Sequence, residues 1–301
     1  MRFDPSGGDV LSFALERMER GAQVAFATLI YIDGSSPRAT GAQMAISEDG
    51  GHAGSISSGC LERAIIDEAR QAMARGAGGV IRYGKGSPFV DVALPCGSGV
   101  DILFSVNPDR NALAAALKAL EERKPVSLAF RAGDVSEKAK TPDAFTRHYE
   151  PAIRIVAAGF GPELTVLASL AHAAGFDFCA LSPDDFALRD CASSQTIHLA
   201  SSSQIQQISI DARSACVLLF HDREWERALA PRFLRSPAFY VGAVGGRKTA
   251  AARREMLIAE GLAPSEIDRL AAPIGLVPMT RDPAALAVSI LAEIVAQSRA
   301  L

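Results

Sequence analysis

The amino-acid sequence predicts an α/β protein of two domains, a small mixed α/β domain followed by a Rossmann-like domain with a doubly wound parallel sheet. In the second half, residues 153–158 form a short apolar run, and a glycine turn and a helical repeat of apolar residues follow it directly. In the first half, short apolar runs are separated by polar, glycine-containing turns, and two of them are spaced as a hairpin. The first pattern indicates a parallel βαβ unit, and the second indicates paired strands.

Length and composition are those of a globular protein with an ample core. The chain has 301 residues, of which 49% are hydrophobic, and a net charge of -3. These values suit two domains and argue against broad nucleic-acid or membrane binding. No apolar run approaches the ~18 residues needed to cross a bilayer, and residues 1–21 lack the pattern of a signal peptide. Five cysteines without disulfide-like clustering indicate a reducing compartment, so we expect a cytoplasmic protein.

The parallel-sheet prediction rests on the segment from residue 153 to residue 181. Gly159 and Gly161 follow the first strand and match the first two glycines of the dinucleotide-binding fingerprint. Apolar residues then recur at helical spacing until Gly175, and residues 178–181 form a second short apolar strand. Strand, turn, helix and strand in this order indicate the first βαβ unit of a Rossmann-like domain.

The same turn departs from a binding site for NAD(P). Leu164 stands where the fingerprint has its third glycine, and Pro162 removes a backbone N–H that could donate to a pyrophosphate. Glu163 places a carboxylate where the start of a helix favours a bound anion. Ser182 stands at the end of the second strand, where an acidic residue usually binds the ribose. These four residues argue against NAD(P) binding in the usual way.

Further helices and strands follow from hydrophobic periodicity and from turn residues. In the first half we predict a helix capped by Asp9 and ended by Gly21, a helix that begins at Cys60 and ends at Gly76, and elements at residues 23–32, 42–46, 52–56, 80–83, 89–94, 100–106, 111–123 and 126–130. In the second half we predict elements at residues 196–199, 215–220, 224–234, 239–244 and 283–297, and a helix that begins near Arg247. The apolar stripe of the last helix is interpreted as core or as a dimer face.

The domains are predicted to divide at a charged segment. Residues 133–150 are charged, poorly periodic and bounded by proline, which is typical of a linker. The prediction is therefore an N-terminal domain at 1–132, a linker at 133–150 and a Rossmann-like domain at 151–301. We expect a ligand cleft at the shared edge of the two domains.

Three residues of the first half are candidates for chemistry. Arg38 lies in a loop of Gly, Ser and Pro, where a guanidinium can bind a phosphate or carboxylate; the alternative is a solvated loop arginine. Cys60 lies at a predicted helix start, where oriented N–H groups favour a thiolate; the alternative is a packed small residue. Cys96 lies between Pro and Gly, where backbone can approach a ligand; the alternative is a tight turn. The sequence has no C-x-x-C pair, which argues against zinc.

In the second half, two candidate residues follow the very apolar strand predicted at residues 215–220. His221 and Asp222 lie at its carboxyl end, which is the ligand-facing edge of an open parallel sheet. A histidine there can act as an acid–base group or donate a hydrogen bond to an anion. The alternative is that Asp222 only caps the next helix.

Glycines and cations at the following helix start indicate a phosphate site. Residues 245–246 are both glycine, and Arg247 and Lys248 open the helix. Backbone N–H groups and cationic side chains therefore coincide at one place. Arg253 and Arg254, farther along this helix, are interpreted as a solvated basic face.

Seven short segments, four in the first half and three in the second, carry a resemblance to a known family. In the first half they are GSSPR at 34–38, GAQM at 41–44, GSISSGCLE at 54–62 and CG at 96–97; in the second half they are FHD at 220–222, YVGAVGGRKT at 240–249 and APIGL at 272–276. On these segments the sequence resembles the XdhC/CoxI family, the accessory proteins of xanthine dehydrogenase and related molybdenum hydroxylases. Phe220, Gly246, Lys248 and Val277 stand where the family usually has Thr, Ser, Arg and Asp.

The resemblance implies a carrier of molybdenum cofactor, of the molybdopterin type, rather than an enzyme. It implies support of cofactor sulfuration by a cysteine desulfurase and insertion into an apo molybdenum hydroxylase of the xanthine or aldehyde dehydrogenase type; we also expect a homodimer. The candidate cofactor-binding residues are Arg38, Ser57, Gly59, Cys60, Cys96, Gly97, Gly159, Gly161, His221, Asp222, Gly242, Gly245, Gly246, Arg247 and Lys248. Cys60 is also the candidate contact to molybdenum. The alternatives are an NAD(P)-dependent oxidoreductase with His221 as acid–base group, and a structural scaffold for a hydroxylase subunit.

Overall fold

The structure of the protein is a computed structural model that describes residues 7–87, 97–137, 144–201, 208–220 and 223–301. The chain divides between Pro151 and Ala152 into two compact units, which are described separately below. The predicted strand at 89–94 lies outside the described residues. Among the described helices, none combines the length and the apolar character that a bilayer crossing requires.

The N-terminal unit contains helices packed on small antiparallel sheets. Its elements are α1 (Gly8–Glu19), β1 (Val24–Asp33), β2 (Gln43–Ser47), β3 (His52–Gly54), α2 (Glu62–Arg75), β4 (Gly79–Gly84), β5 (Gly99–Ser105), α3 (Arg110–Glu121), β6 (Val126–Phe130), β7 (Val135–Ser136) and β8 (Phe145–Tyr149). One sheet has the order β3-β2-β1-β5-β4, and another has the order β7-β6-β8. The predicted hairpin is confirmed, because β2 and β3 pair antiparallel with Ile46 opposite His52.

The central strand β1 is buried on both faces from Val24 to Leu29, which explains why all of these residues except Thr28 are apolar. Ala25 and Leu29 face a cluster that includes residues of α2, whereas Phe26 faces a cluster built with α1 and α3. Alternate residues of a strand point to opposite faces, so both sets must be apolar here. The ring of Phe26 also meets Phe130 of β6 edge to face, at 5.5 Å between centroids.

The predicted linker at 133–150 is wrong for the part of it that the structure describes. Val135 lies in β7 and Tyr149 lies in β8, and both strands pair antiparallel with β6. Both side chains are fully buried in the cluster that holds α1 and α3. Short strands with one buried face carry only a few apolar residues, so the charged residues between them suggested a linker. The described division of the chain falls just after this segment.

The C-terminal unit is built on a parallel sheet covered by helices on both faces. Its elements are β9 (Arg154–Gly159), α4 (Gly161–Ala173), β10 (Asp177–Ser182), α5 (Asp185–Arg189), β11 (Gln195–His198), β12 (Ser214–Leu219), α6 (Arg223–Arg235), β13 (Tyr240–Ala243), α7 (Arg247–Ala259), α8 (Pro264–Ile267), β14 (Leu270–Ala271) and α9 (Pro283–Ser298). The described strands have the order β11-β10-β9-β12-β13-β14, and all neighbours are parallel. This is the doubly wound sheet that the sequence predicts. The short elements α5, α8 and β14 were not predicted.

The order in which strands are added to the sheet reverses between β9 and β12, because β10 and β11 extend the sheet on one side and β13 and β14 extend it on the other. In an open parallel sheet, ligands bind at the carboxyl ends of the strands beside this reversal point. Helices α4 and α9 cover one face, where Ile290 and Ile294 are fully buried. The apolar stripe of α9 is therefore core. Helices α6 and α7 contribute to the cluster on the other face through Phe233 and Leu257.

Candidate functional site

A large cavity lies at the carboxyl ends of the central strands of the C-terminal unit. Its volume is about 1020 Å³, at the upper end of the roughly 300–1,000 Å³ of small-molecule sites. It is lined by Glu163, Leu219, Val244, Gly245, Gly246, Arg247, Pro273, Ile274, Gly275, Val277, Pro278, Met279, Thr280, Arg281, Pro283 and Leu286. Residues from the ends of β12 and β13 and from the first turn of α4 therefore meet at the reversal point of the sheet.

The glycine turn after β9 brings two strands very close together. A Cβ added at Gly159 would lie 2.6 Å from the Cβ of Leu219, so only glycine fits between β9 and β12. Gly161 has a φ of +64° and opens α4, with Pro162 in the first turn. Glu163 follows in the same turn and lines the cavity. The helix start that would face a pyrophosphate therefore presents a carboxylate and lacks one N–H donor.

The turn between β13 and α7 (residues 242–246, called the α7 turn below) has the opposite character. A Cβ on Gly242 would lie 2.6 Å from Ile274, and Gly245 has a φ of +129°. Gly246 is the N-cap of α7 and provides no side-chain cap, so the first N–H groups of this 13-residue helix lack an internal cap. Arg247 lines the cavity and Lys248 is exposed beside it. This helix start is suited to an anion.

Arg253 fixes the α7 turn from behind, and the prediction that it is solvated is wrong. Its side chain is only 1% exposed and donates through Nε and Nη2 to the carboxylate of Glu226 in α6. Its Nη2 also donates to the backbone oxygen of Val244 at 2.7 Å. Its neighbour Arg254 is exposed and pairs with Asp268 at 2.8 Å. One step along the helix turns a side chain by about 100°, which separates the buried arginine from the solvated one.

The far wall of the cavity is held by hydrogen bonds to α9. The N–H of Gly275 donates to Oε2 of Glu293 at 2.6 Å, and the hydroxyl of Tyr240 donates to the same oxygen. Burial, together with the Glu293 carboxylate, raises the pKa of Tyr240 far above its ordinary value, so the phenol stays a donor. Arg281 also lines the cavity, and the sequence analysis did not identify this cation as a site residue. The sequence feature that could have identified Arg281 is its position directly before Asp282, the N-cap of α9.

In the N-terminal unit, the Cys60 loop (residues 55–60) is organised by the carboxylate of Glu62. Oε1 of Glu62 accepts hydrogen bonds from the hydroxyl of Ser55 at 2.9 Å and the N–H of Ser57 at 2.8 Å, and Oε2 accepts from the N–H of Gly59 at 2.6 Å. Burial opposes ionisation, but these hydrogen bonds outweigh it and lower the pKa of Glu62 to about 2. The carboxylate therefore turns back over the helix start, as expected for a residue in the first turn.

This arrangement changes the interpretation of Cys60. Helix α2 begins at Glu62 rather than at Cys60, and the N–H groups of Ser57 and Gly59 donate to the carboxylate instead of the sulfur. Cys60 itself is exposed on the loop. Of the other described cysteines, Cys179 is buried, and burial raises its pKa to about 12. Accessibility, rather than donors at a helix start, distinguishes Cys60.

A second, smaller cavity lies in the N-terminal unit and contains Arg38. Its volume is about 210 Å³, and Ser55 of the Cys60 loop lines it as well. Gly97, one of the predicted site residues, has a φ of +68°. The hydroxyl of the adjacent Ser98 accepts a hydrogen bond from the N–H of Ser35 at 2.9 Å. The loops that carry Arg38 and Gly97 are therefore joined.

The remaining predicted site residues, Cys96, His221 and Asp222, lie outside the described residues. The structure brings Gly159, Gly161, Gly242, Gly245, Gly246, Arg247 and Lys248 to one sheet edge, and it brings Arg38, Ser57, Gly59, Cys60 and Gly97 to loops of the other unit. In the part of the chain that the structure describes, no group of three His, Cys, Asp or Glu residues is placed to hold a metal ion.

Comparisons with known proteins agree on one family. Residues 155–294 match the XdhC Rossmann domain, and residues 17–84 match the XdhC and CoxI family. The chain is 33% identical over 293 residues to the molybdenum cofactor insertion chaperone PaoD of Escherichia coli, which covers 95% of this chain and 86% of that protein. It is 23% identical to the uncharacterized protein YqeB of the same organism, covering 95% of this chain and 46% of YqeB.

A solved structure shares the fold. A protein from Bacillus halodurans, described as a xanthine dehydrogenase, superimposes with a TM-score of 0.80 at 20% identity, over 97% of this chain and 96% of that chain. At this identity the likeness concerns the fold alone.

Proposed function

The chain belongs to the XdhC and CoxI family, and from that premise we propose that it is a molybdenum cofactor insertion chaperone. The relative PaoD, 33% identical over most of the chain, is named for this role. The observation that carries the proposal is the cavity of about 1020 Å³ at the reversal point of the sheet. It combines an uncapped helix start with a broad apolar wall, which suits a ligand that has both a phosphate and a flat ring system.

Two sets of residues are proposed to hold the cofactor. The N–H groups at the start of α7 and the side chains of Arg247 and Lys248 bind its phosphate. Ile274, Leu286 and their apolar neighbours on the cavity wall pack against its pterin. The cofactor supplies the molybdenum chemistry of the recipient enzyme, and this chain binds, orients and shields it.

Three features support this reading over an NAD(P)-dependent oxidoreductase. The first-turn carboxylate of Glu163 and the missing N–H of Pro162 oppose a pyrophosphate after β9. Ser182 at the end of β10 is fully buried, and its hydroxyl accepts from the N–H of Asp184 at 3.1 Å. Asp184 in turn caps α5. Ser182 has no carboxylate, and the carboxylate of Asp184 accepts a hydrogen bond from the start of α5, so neither residue matches the acidic residue that binds a ribose.

The finer parts of the proposal concern cofactor form and partners. We propose a molybdopterin-type cofactor, sulfuration supported by a cysteine desulfurase, and delivery to an apo molybdenum hydroxylase of the xanthine or aldehyde dehydrogenase type. Cys60 is proposed as the thiol that contacts molybdenum, because it is exposed and its loop is held in place by Glu62. A homodimer in the cytoplasm is the proposed setting.

The test is to identify the ligand that the full-length protein retains. The protein is purified from a molybdenum-replete host, and the released ligand is identified by pterin fluorescence after oxidation and by mass. We expect a pterin to be retained and NADH to bind negligibly in calorimetry. Micromolar binding of NADH by protein that retains no pterin would refute the proposal in favour of the oxidoreductase.

A further inference from the structure

The small cavity of the N-terminal unit has the properties of an anion site. Its volume of about 210 Å³ lies below the range of roughly 300–1,000 Å³ that holds whole small-molecule ligands, so it suits a single small group. Two arginines line it, Arg38 from the loop after β1 and Arg147 from β8. The other described lining residues are 39–43, 54–55 and Gly7, Asp9 and Val10 at the start of α1.

Arg147 is held in place before any ligand binds. Its guanidinium lies over the ring of Tyr149, 5.2 Å from the centroid. Tyr149 is fully buried and donates its hydroxyl to Gln43, and Gln43 donates to the hydroxyl of Thr28 at 2.9 Å. This chain of hydrogen bonds connects β8 to β2 and β1 and fixes the ring beneath the arginine.

The guanidinium of Arg147 has a donor that the described protein atoms do not use. Its Nε is buried and has no hydrogen-bond acceptor among the described residues. Its Nη1 lies 3.3 Å from the position of a Cβ added at Gly41, where φ is +90°. Glycine thus lets the backbone approach the arginine closely. Buried donors in proteins normally have an acceptor, and an oxyanion provides acceptors in the geometry that a guanidinium fork matches.

The start of α1 adds a second attraction for an anion. Gly7 is the N-cap, provides no side-chain cap, and lines the cavity together with Val10. A helix of 12 residues has partial positive charge at this end. Asp9 lines the cavity too, and its Oδ1 accepts from the N–H of Val10 at 2.8 Å. Among the described lining residues, two guanidinium groups and one carboxylate give a formal charge of plus one.

We propose that this cavity binds one tetrahedral oxyanion, with the chemistry of a phosphate group, between Arg38, Arg147 and the start of α1. The site goes beyond the proposed function, because it lies in the other unit and requires no pterin. Ser55 lines the cavity and also donates to Glu62 in the Cys60 loop. An anion bound here therefore adjoins the loop that presents Cys60.

The site is tested by calorimetric titration of the full chain with inorganic phosphate, phenyl phosphate and molybdate. Arg147→Met keeps an unbranched side chain of similar shape near Tyr149 but removes the guanidinium, and we expect it to weaken phosphate binding at least about tenfold. Asp9→Asn removes the opposing charge, and we expect it to strengthen binding. Arg110→Met, which removes an exposed arginine paired with Glu19, is the matched control and should bind as wild type.

Thermal unfolding of each ligand-free variant checks that the fold is retained. If Arg147→Met unfolds, Arg147→Lys takes its place, since it keeps the charge and loses the fork, and weaker binding is again expected. Binding of phenyl phosphate would assign the site to a phosphate carried on a larger ligand, whereas binding of the free ions alone would assign it to inorganic anions. Wild-type protein that binds none of the three at millimolar concentration, or equal affinity in the Arg147 variant and wild type, overturns the proposal.

Discussion

The starts of α2 and α7 both follow glycine but differ in what lies beside them. Each follows a glycine-containing turn, and each leaves backbone N–H groups at the beginning of a helix. At α2 the chain supplies its own anion, because Glu62 accepts the N–H groups of Ser57 and Gly59. At α7 the N-cap is Gly246, and Arg247 and a large cavity lie beside it. We therefore propose that, of these two helix starts, only the one at α7 binds a ligand, because no carboxylate of the chain accepts hydrogen bonds at its N-cap among the described residues.

The turn before α4 lies between these two cases. Its glycines allow the close approach of β9 and β12, but Glu163 lines the cavity from the first turn of the helix. The cavity of about 1020 Å³ thus has a carboxylate at the helix start on one side and cations at the helix start on the other. We expect this asymmetry to orient a ligand that has one phosphate, with the charged end toward α7.

The largest expected effect comes from removing the support behind the α7 turn. Arg253→Met should lower the free energy of unfolding by about 3–5 kcal/mol, because Glu226 is left as a buried, uncompensated charge. Urea denaturation measures the change. Arg254→Met, one residue away and exposed, is the matched control and should change stability by less than about 1 kcal/mol. Equal losses in the two variants would contradict the assignment of Arg253 as the buried support.

The second prediction concerns the cations of the same turn. Arg247→Ala with Lys248→Ala should weaken cofactor retention by about 1.5–3 kcal/mol for each charge-assisted hydrogen bond that is shielded from water, without unfolding the unit. Pterin fluorescence per mole of purified chain gives the retained amount. Arg254→Ala on the same helix is the control. Full retention by the double variant would move the cofactor phosphate away from α7, and the small cavity of Arg38 and Arg147 would be the next place to test.

The third prediction concerns the carboxylate of Glu62, which accepts backbone hydrogen bonds just before α2. The pKa of Glu62 is lowered from 4.5 to about 2 in the folded chain, so its ionised form stabilises the fold. That contribution is complete above about pH 4.5 and disappears as the pH falls toward 2. Because the carboxylate is partly exposed, we expect about 1 kcal/mol at pH 7.

Glu62→Gln should therefore lose this stability at pH 7 and differ less from wild type near pH 3. Urea unfolding at both pH values is the measurement, and Glu121→Gln, an exposed change in α3, is the control. A loss in Glu62→Gln that is the same at both pH values would show that the carboxylate does not act through its charge.

The smallest expected effect on stability belongs to Cys60. Cys60→Ser should leave the unfolding midpoint unchanged, since the side chain is exposed, but it should reduce activation of the apo-hydroxylase. Cys191→Ser, at a half-buried site where burial raises the pKa to about 11, is the control and should activate as wild type. Normal activation by Cys60→Ser would leave the cysteine without a role in cofactor transfer.

The sequence by itself determined the local elements and the faces they bury. The apolar run of β9, the glycine turn after it and the helical spacing of α4 identified the parallel sheet, and the stripe of α9 identified a core helix. These features follow from the spacing of apolar residues along a short stretch of sequence, so they can be identified without knowing which distant residues pack against them. The motifs at the ends of β12 and β13 were located for the same reason.

Only the tertiary structure decided which polar groups meet. Arg253 lies 27 residues from Glu226, and Tyr149 lies 106 residues from Gln43, so neither pair leaves a local pattern. The N–H group of Gly59, which the sequence suggested for Cys60, donates to the carboxylate of Glu62 instead. Arg147 belongs to the segment predicted as a linker, but it lies in β8 and lines the same cavity as Arg38. Hydrogen bonds and ion pairs depend on distances of a few ångströms, and packing of the whole unit sets those distances.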